Sequence, residues 1–403
     1  MKEQQITIKD FVYDLPLDKI AKYPLEERDA SKLLVYRNGE CSDSHYLNID
    51  QFISADSMLF FNNTKVIPAR LFFKTINEKI IEVFCLEPEE SKDIFHEMTK
   101  QKEVLWRCIV GNLNKWKEEE ICLEAKGICI TANIIERRTD HLVIQFKWTP
   151  AETTFSEILQ IAGAVPIPPY LKRSSEAIDI LRYQTLYAKT EGSVAAPTAG
   201  LHFTERVFEK LMSKGISLNY LTLHVGAGTF KPVKSKTMAD HEMHREYIEL
   251  KIETIENLLI NLDKNIVSVG TTSMRTLESI YWLGLKTFLD DKIELDQLVI
   301  HQWDPYELRN QQIPAKQAIE SLIKYLKFKD FDSLYSETSL LILPGYEFKL
   351  VNALVTNFHQ PESTLILLVA SFIGEDWRKV YKHALNHEYR FLSYGDGSLL
   401  FKA

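Results

Sequence analysis

The densest group of small and polar residues in the chain lies at 191–205. Residues 192–200 read Gly-Ser-Val-Ala-Ala-Pro-Thr-Ala-Gly, and such small residues let a backbone approach a ligand closely. The segment then brings His202 and Glu205 to the start of a predicted helix, where free backbone N–H groups can bind an anion or a carboxylate. Tight packing between elements would also explain the small residues, but the density of polar groups favours a functional loop.

A second candidate, His224, stands near the end of a strand predicted at 218–225. Ligand-binding groups often follow strand ends in α/β folds. The strand leads into Gly226-Ala-Gly228, which is similar to part of a dinucleotide fingerprint. Lys231 occupies the place of the third glycine of that fingerprint, so the sequence does not predict a Rossmann site.

Two strand–turn–helix segments supply further polar groups. The first carries the hydroxyls of Thr271, Thr272 and Ser273 at a predicted helix start, where a carboxylate or phosphate can bind. Arg275 follows three residues before Glu278, so these two side chains could instead pair with each other.

The second of these segments lies at 356–364, with Ser363 in a favourable N-cap position. Capping accounts for Ser363 but not for Asn357 and His359. We therefore interpret Asn357 and His359 as candidate ligand contacts.

His241, His244 and Glu246 raise the question of a metal site. The zinc motif HExxH places its histidines four residues apart, whereas these are three apart, and no third ligand follows at a clear spacing. The five cysteines form no Cys-x-x-Cys pair, which favours reduced, buried thiols over a disulfide or a zinc site. We expect no metal, and interpret the histidine segment as a polar ligand-binding group.

The composition bounds the class of protein. With 403 residues, 45% of them hydrophobic and 26% charged, the chain is typical of a globular protein of more than one domain. The net charge of −8 counts weakly against a nucleic-acid partner, although basic groups at 137–138, 172–173 and 231–236 could still bind phosphate. There is no apolar run of roughly 18 residues to span a membrane and no secretion signal, so we expect a cytoplasmic protein.

The segment 72–164 differs from its flanks, because short β-type runs separated by polar turns dominate it. This pattern predicts a small antiparallel barrel or sandwich. The flanking sequence alternates strands and helices, including a strand predicted at 340–343, which is typical of α/β folds. We therefore predict a discontinuous α/β catalytic domain at 1–71 plus 165–403, with a β-barrel domain inserted at 72–164.

An acidic stretch at 283–339 contains Ile319, Leu322, Ile323 and Leu326 at helical spacing. This spacing predicts an amphipathic helix. We interpret the stretch as an elaboration within the catalytic domain, packed on its core.

Taken together, these segments resemble the S-adenosylmethionine:tRNA ribosyltransferase-isomerase family of queuosine biosynthesis. The similarity is densest at 183–205, and its longest and most specific motif is 192–204. The other matching segments are 13–17, 23–31, 61–71, 221–233, 241–247, 269–279, 343–346, 356–364 and 389–396. Two stretches depart from the family pattern, since 283–339 is longer and 110–117 is divergent.

The resemblance implies a mixed α/β fold, with an α/β-barrel-like main domain and an inserted antiparallel β-barrel domain. It also implies transfer of the ribosyl part of S-adenosylmethionine to 7-aminomethyl-7-deazaguanine (preQ1) at the tRNA wobble position. Epoxyqueuosine would form, and adenine and methionine would leave. S-adenosylmethionine is then a consumed substrate, and no cofactor is expected. The expected partners are tRNA carrying preQ1 in its anticodon and S-adenosylmethionine, with no membrane, for a protein that acts as a monomer.

The family chemistry requires a base that removes a proton beside the sulfonium, a proton donor for adenine, and groups that hold the methionine end. His202 and His224 are the candidate catalytic base and acid, because imidazole titrates near neutrality, and Glu205 is a candidate to orient them. The candidate substrate contacts are Thr198, His241, His244, Glu246, Thr271, Thr272, Ser273, Arg275, Asn357 and His359. The candidate RNA contacts are Arg28, Lys65, Arg70, Lys172 and Arg173.

Three other functions stay open at this point. A related transferase that acts on a different acceptor would account for the departures at 110–117 and 283–339. A non-catalytic tRNA-binding relative would not need so many polar loops. A Rossmann-type methyltransferase would need the glycine fingerprint that the chain lacks.

Overall fold

The computed structural model describes residues 2–91, 94–226 and 235–402. Most of the basic stretch at 231–236, and the glycine turn beyond Gly226, lie outside the described residues. The strands are β1 (Lys32–Arg37), β2 (Glu40–His45), β3 (Ser57–Asn62), β4 (Thr64–Val66), β5 (Arg70–Lys74), β6 (Ile80–Pro88), β7 (Glu103–Gly111), β8 (Glu120–Ala125), β9 (Ile128–Arg137), β10 (Leu142–Thr149), β11 (Thr190–Ser193), β12 (Ser217–His224), β13 (Glu246–Lys251), β14 (Asn265–Val269), β15 (Ser333–Thr338), β16 (Ala353–Asn357) and β17 (Gly397–Phe401). The α-helices are α1 (Ile94–Thr99), α2 (Phe155–Ala162), α3 (Ala177–Arg182), α4 (Glu205–Ser213), α5 (Ile252–Ile260), α6 (Thr271–Leu289), α7 (Asp304–Glu307), α8 (Ala315–Phe328), α9 (Thr364–Ile373) and α10 (Trp377–Asn386).

A large mixed sheet forms the centre of the main domain, in the strand order β15-β13-β12-β3-β14-β16-β17-β1-β2. Four neighbouring strands in its middle, β12, β3, β14 and β16, run parallel to one another. Their carboxyl ends therefore lie along one margin of the sheet, which we call the strand-end edge. Because β13 and β17 run antiparallel to this block, the residues that precede those two strands lie on the same edge.

Helices cover both faces of the sheet, and the alternation of residues along β3 shows how. Met58 and Phe60 pack in a core that includes α6, whereas Leu59 and Phe61 pack in a second core that includes α4. Successive side chains of a strand point to opposite faces. A strand buried on both faces reads as a continuous apolar run, and every residue of β3 is buried.

The smaller domain is a closed antiparallel barrel with the strand order β10-β7-β6-β5-β8-β9. Its strands lie between Arg70 and Thr149. Helix α2 begins at a capping box formed by Thr154 and Glu157, and its first residue, Phe155, packs in the barrel core. The predicted fold class, mixed α/β with an inserted antiparallel barrel, is confirmed.

The strand predicted at 340–343 is wrong, because this buried run is irregular. Its backbone bonds go to a side chain instead of a neighbouring strand. The hydroxyl of Tyr306 donates to the carbonyl of Leu341 at 2.9 Å and accepts from the amide of Leu343 at 2.9 Å. An apolar run alone does not reveal such a partner.

The stretch 283–339 begins inside α6 and ends in β15, which pairs with β13 in the large sheet. The helix predicted from its apolar spacing is α8, whose residues Ile319, Leu322 and Leu326 are fully buried. Helix α8 packs against α6. The stretch therefore contributes both to the core and to the sheet.

All five cysteines are free, but only Cys85 and Cys108 are buried. Cys122 and Cys129 are exposed on the barrel, so the expectation of buried thiols is wrong for them. None of the helices in the described part of the chain has the length and apolarity to cross a membrane.

Substitution of Gly284 by alanine tests the packing of α6 on α8. A β-carbon at Gly284 would overlap with the carbonyl group of Ala318 on α8. Alanine gains roughly 1 kcal/mol of helix propensity over glycine, but overpacking against a backbone costs about 1 to 3 kcal/mol. We expect a net loss of stability, measured as a lower urea midpoint. The control is Gly111→Ala, where the nearest atom would lie at an ordinary 3.4 Å; an equal or higher midpoint for Gly284→Ala would contradict the packing.

Candidate functional site

Candidate residues from three distant segments meet at the strand-end edge in a cavity of about 110 Å³, which we call the first cavity. The loop at 195–199 forms one wall, the turn at 270–272 forms a second, and residues 356–360 form a third. The turn follows β14 and the third segment follows β16. The predicted residues brought together here are Thr198, Thr271, Thr272, Asn357 and His359.

Two polar atoms of the first cavity are buried and lack a hydrogen-bond partner, namely Asn357 Nδ2 and Thr272 Oγ1. The other end of the Asn357 amide is held, because its Oδ1 accepts from the Thr198 hydroxyl at 2.8 Å. A buried donor without a partner costs about 1 to 3 kcal/mol. An oriented amide of this kind is therefore ready to bind a polar ligand atom.

The start of α6 completes this polar wall. Its N-cap residue is Gly270, at φ +93, and no side chain caps the helix. The first backbone N–H groups of a helix have no partner within the helix and favour an anion. Of the three predicted hydroxyls, that of Ser273 is already used, since it donates to the Val269 carbonyl at 2.9 Å. Thr272 thus keeps a buried hydroxyl for a ligand, whereas Ser273 does not.

His359 lies at the same wall in its neutral form. Burial lowers the pKa of its imidazole to about 3, and its Nε2 lies 2.8 Å from the Thr356 hydroxyl. Its backbone carbonyl accepts from Tyr13 at 2.5 Å. These contacts fix His359 as a neutral, oriented group and make it unsuitable as a cation at neutral pH.

His224 lies in a larger cavity of about 490 Å³, which we call the second cavity, at the β12, β13 and β15 side of the edge. Its Nδ1 is buried and has no hydrogen-bond partner within the described part of the chain, and its Nε2 lies 3.8 Å from a carboxylate oxygen of Glu249. Gly192, at φ +131, passes so close that a β-carbon there would lie 2.9 Å from His224 Nδ1. A side chain at position 192 would therefore collide with His224. The predicted loop lies directly beside this histidine, and a small residue is required there.

The two cavities have neighbouring lining residues at the end of β12. Val225 lines the first cavity and His224 lines the second. Three strand spacings separate β12 from β16, or about 14 Å at the usual 4.8 Å per strand. A ligand that spans this distance would contact Asn357 at one end and His224 at the other.

His202 does not join either cavity. Its ring stacks on Tyr46 at 4.2 Å between centroids, and its Nδ1 lies 3.3 Å from the Arg28 carbonyl. Burial lowers the pKa of His202 to about 4, so the ring is neutral near pH 7. Glu205, its predicted neighbour, is an exposed residue at the start of α4. The structure therefore separates His202 and Glu205 from His224.

Glu246 forms a buried ion pair with Arg275. Burial alone would raise the pKa of Glu246, but Arg275 and His244 outweigh it and hold that pKa below its usual value. His244 Nε2 lies 3.2 Å from Glu246, and Arg275 Nε donates to the Leu340 carbonyl at 3.0 Å. Arg275 thus already has a carboxylate partner, although its Nη2 is buried without one.

The predicted alternative pairing of Arg275 with Glu278 is wrong. Glu278 is fully buried and accepts from the backbone amides of Lys349, Leu350 and Val351 at 2.8 to 3.1 Å. Burial raises the pKa of Glu278 despite these bonds. Its role is to hold the segment that leads into β16.

His241 lies in the irregular segment before β13, partly buried, with Nε2 unpartnered. Burial lowers the pKa of its imidazole, and His244 lowers it further. Its carbonyl accepts from Gln302 at 2.7 Å. His241 lines neither cavity, so its predicted substrate contact stays a prediction.

Four of the five candidate RNA contacts already bind protein groups. Arg28 donates to three backbone carbonyls, Lys65 pairs with Glu191, Arg70 pairs with Glu82, and Arg173 pairs with Asp179. Lys172 is the exposed member of the set. Contact of the other four with phosphate would require them to leave or share these partners.

A separate group of potential metal ligands, Asp43, His383 and His387, has its ligand atoms within 4.8 Å of one another. His383 Nε2 lies 2.8 Å from Asp43 Oδ1, which also accepts from the Tyr389 hydroxyl at 2.6 Å. These hydrogen bonds account for the arrangement without an ion. Asp43 lies on β2, His383 lies on α10 and His387 directly follows that helix, and none of the three lines either cavity.

Sequence reasoning missed most of the second cavity. Tyr247, Glu249 and Glu337 line it from β13 and β15, and Asp296 lines it from the segment between α6 and α7. The sequence signal for the first three is the polar alternation along β13 and the edge strand β15. Such alternation is equally typical of a solvent-facing surface.

Two comparisons with known proteins bear on this site. The model of a family described as queuosine biosynthesis protein matches residues 8–400, which include every candidate residue named above. Among solved structures, the S-adenosylmethionine tRNA ribosyltransferase of Thermotoga maritima is similar at 27% identity, with 97% of this chain and 100% of that chain covered and a TM-score of 0.46.

Replacement of Glu246 by glutamine tests the buried ion pair. The guanidinium of Arg275 would keep its burial but lose its counter-charge, so we expect a loss of about 3 to 5 kcal/mol in the free energy of unfolding. Because the pKa of Glu246 is lowered in the folded state, its contribution is present above its usual value of 4.5 and is lost as the pH falls through the folded value. The difference in the free energy of unfolding between wild type and variant, measured in urea, should therefore become smaller as the pH is lowered. The control is Glu242→Gln, an exposed neighbour; a gap independent of pH would contradict the assignment.

Proposed function

The chain belongs to the queuosine biosynthesis protein family, and from that premise we propose that it transfers the ribosyl part of S-adenosylmethionine to preQ1 at the tRNA wobble position. The products are epoxyqueuosine in tRNA, adenine and methionine. The observation that supports this most is the family match over 8–400. The two adjoining cavities at the strand-end edge supply places for a donor and an acceptor.

The first cavity suits the methionine end of the donor. A carboxylate can accept from the free N–H groups at the start of α6 and from the hydroxyl of Thr272. The oriented Nδ2 of Asn357 offers another donor to a polar atom of the ligand. At about 110 Å³ the cavity holds only part of such a ligand, so the rest extends past Val225 towards His224.

His224 is the better supported of the two candidate bases. It lines the second cavity next to Val225 of the first, and its buried Nδ1 has no hydrogen-bond partner among the residues that the structure describes. A neutral imidazole with a free ring nitrogen can take the proton from the carbon beside the sulfonium. The departing adenine needs one proton in return, which balances the proton removed. His202 lacks this position, because it stacks on Tyr46 away from both cavities.

The reaction is tested by incubating the protein with S-adenosylmethionine and preQ1-containing tRNA, followed by mass spectrometry of the nucleosides and assay of free adenine. We expect epoxyqueuosine and adenine. A methylated base would point to a methyltransferase, and binding of tRNA without any product would point to a non-catalytic relative. Product from tRNA that carries another base at the wobble position, and none from preQ1, would point to a different acceptor.

Replacement of His224 by alanine should lower the rate of adenine release by about 10² to 10⁴-fold, the usual contribution of general acid–base catalysis. The control is His387→Ala, an exposed histidine that lines neither cavity. A rate within a few-fold of wild type for His224→Ala would remove the base assignment and leave the overall reaction to be judged by its products.

Replacement of Asn357 by alanine should raise the KM for S-adenosylmethionine by about tenfold, since one hydrogen bond from an oriented donor is lost. The KM for tRNA should stay unchanged. The matched control is Asn352→Ala. Asn352 lies at the opposite end of β16, where its side-chain oxygen accepts a hydrogen bond from the Ile266 amide. An effect confined to the KM for tRNA would contradict placement of the donor in the first cavity.

A further inference from the structure

The second cavity is acidic. Four carboxylates line it, those of Glu191, Glu249, Asp296 and Glu337, and no Lys or Arg is among its described lining residues. Clefts lined by one sign of charge concentrate ligands of the opposite sign. The lining therefore favours a cation and disfavours an anion.

The ion pairs at this lining leave its sign unchanged. Lys65 pairs with Glu191 at 2.8 Å, and Arg245 reaches Glu337 at 3.4 Å from a side chain that is 71% exposed. In both pairs the cation is the more exposed partner, at 39% for the Lys65 side chain and 71% for that of Arg245, so water screens part of the attraction. Neither Lys65 nor Arg245 is among the described lining residues of the cavity.

Two tyrosines give the cavity flat walls. In the pairing of β13 with β15, Tyr247 lies opposite Glu337 and Glu249 lies opposite Tyr335. Residues two apart on a strand share a face, so one face of this strand pair presents two aromatic rings and two carboxylates. Aromatic faces stack on planar groups and attract cations.

We propose that the second cavity binds a planar heterocycle that carries a primary ammonium group, and that it thereby selects the aminomethyl side chain of the acceptor base. This inference rests on the proposed function for the identity of the base. A primary alkyl amine is protonated near neutrality, like that of lysine. Its charge matches the carboxylates, and its ring matches the tyrosine walls. The volume of about 490 Å³ falls within the usual range for small-molecule sites.

The carboxylate end of the donor fits this cavity poorly, although the sulfonium and ammonium groups of the donor are also cations. S-adenosylmethionine carries a carboxylate, which four carboxylates would repel. The first cavity offers that carboxylate the α6 start and the Thr272 hydroxyl instead. The charges of the two cavities therefore assign the anionic end of the donor to one side and the cationic acceptor to the other.

The place of His224 between the cavities bears on the chemistry of the acceptor. An ammonium has no lone pair, so it must lose a proton before the nitrogen attacks C1′ of the ribosyl group. His224 lines this cavity, and its Nδ1 has no hydrogen-bond partner among the described residues. Once the proton from the carbon beside the sulfonium has passed to the departing adenine, the imidazole is free to accept this second proton from the ammonium. The carboxylates hold the amine as a cation at this boundary until that proton is removed.

Titration of the full-length protein with free 7-aminomethyl-7-deazaguanine and with its neutral 7-cyano counterpart tests the charge requirement. We expect the amine to bind about tenfold or more tightly than the cyano compound, the value of one charge-assisted hydrogen bond. In the double variant Glu249→Gln/Asp296→Asn, this preference should disappear. Both residues are at least partly exposed, so the substitutions spare the core. The control is Asp291→Asn, an exposed residue outside the cavity.

A second measurement uses turnover. In the double variant the KM for preQ1-containing tRNA should rise about tenfold, while the KM for S-adenosylmethionine stays at the wild-type value. Binding without a preference for the amine, no binding of either base, or a preference kept in the double variant would overturn the inference even if epoxyqueuosine forms. A charge-dependent preference in a protein that makes no epoxyqueuosine would instead overturn the proposed reaction and leave the cation site standing.

Discussion

The parallel alignment of β12, β3, β14 and β16 is the constraint on which the candidate site depends. It places four carboxyl ends on one margin of the sheet, so segments more than a hundred residues apart in sequence end within a few strand spacings of one another. Asn62, the last residue of β3, ties two of these ends together. Its amide donates to the carbonyl of Leu223 and accepts from the amide of the same residue. A shift of one residue in this register would turn every side chain of the strand to the other face.

Buried charge secures both margins of the large sheet. Glu278 holds the backbone that enters β16, at the margin opposite the strand-end edge. Arg275, one helical turn earlier, holds Glu246 at the start of β13, on the strand-end edge itself. Both Glu278 and Arg275 lie on α6, so a single helix fixes β16 within the parallel block and β13 beside it. Burial of a carboxylate away from water costs free energy unless the carboxylate is hydrogen-bonded or paired. Backbone amides bind Glu278 and a guanidinium binds Glu246, so both contacts are sensitive to substitution.

The sequence predicted the parts of this arrangement that depend on local pattern. The strands of the barrel, the helix α8 and the polar groups after β14 and β16 all follow from periodicity and from residues at element ends. It could not predict contacts between distant residues. The pairing of Glu246 with Arg275, the distance of His202 from His224, and the carboxylates of the second cavity depend on strand order. Periodicity contains no information on strand order. The local sequence around a histidine is also the same whether its ring stacks on Tyr46, as that of His202 does, or lines a cavity, as that of His224 does.

The donor carries a carboxylate beside its cationic groups, whereas the acceptor is a cation. This poses an electrostatic problem, because one uniform pocket would favour the acceptor and repel the carboxylate of the donor. The strand-end edge offers a physical solution. On the β16 side the polar wall consists of neutral donors and a helix start, with His359 held neutral by burial. On the β13 side the wall consists of carboxylates and tyrosines. His224, the candidate proton carrier, lines the second cavity next to Val225 of the first. A proton carrier therefore stands where the electrostatic character of the site changes, which is where a proton has to move when the two substrates meet.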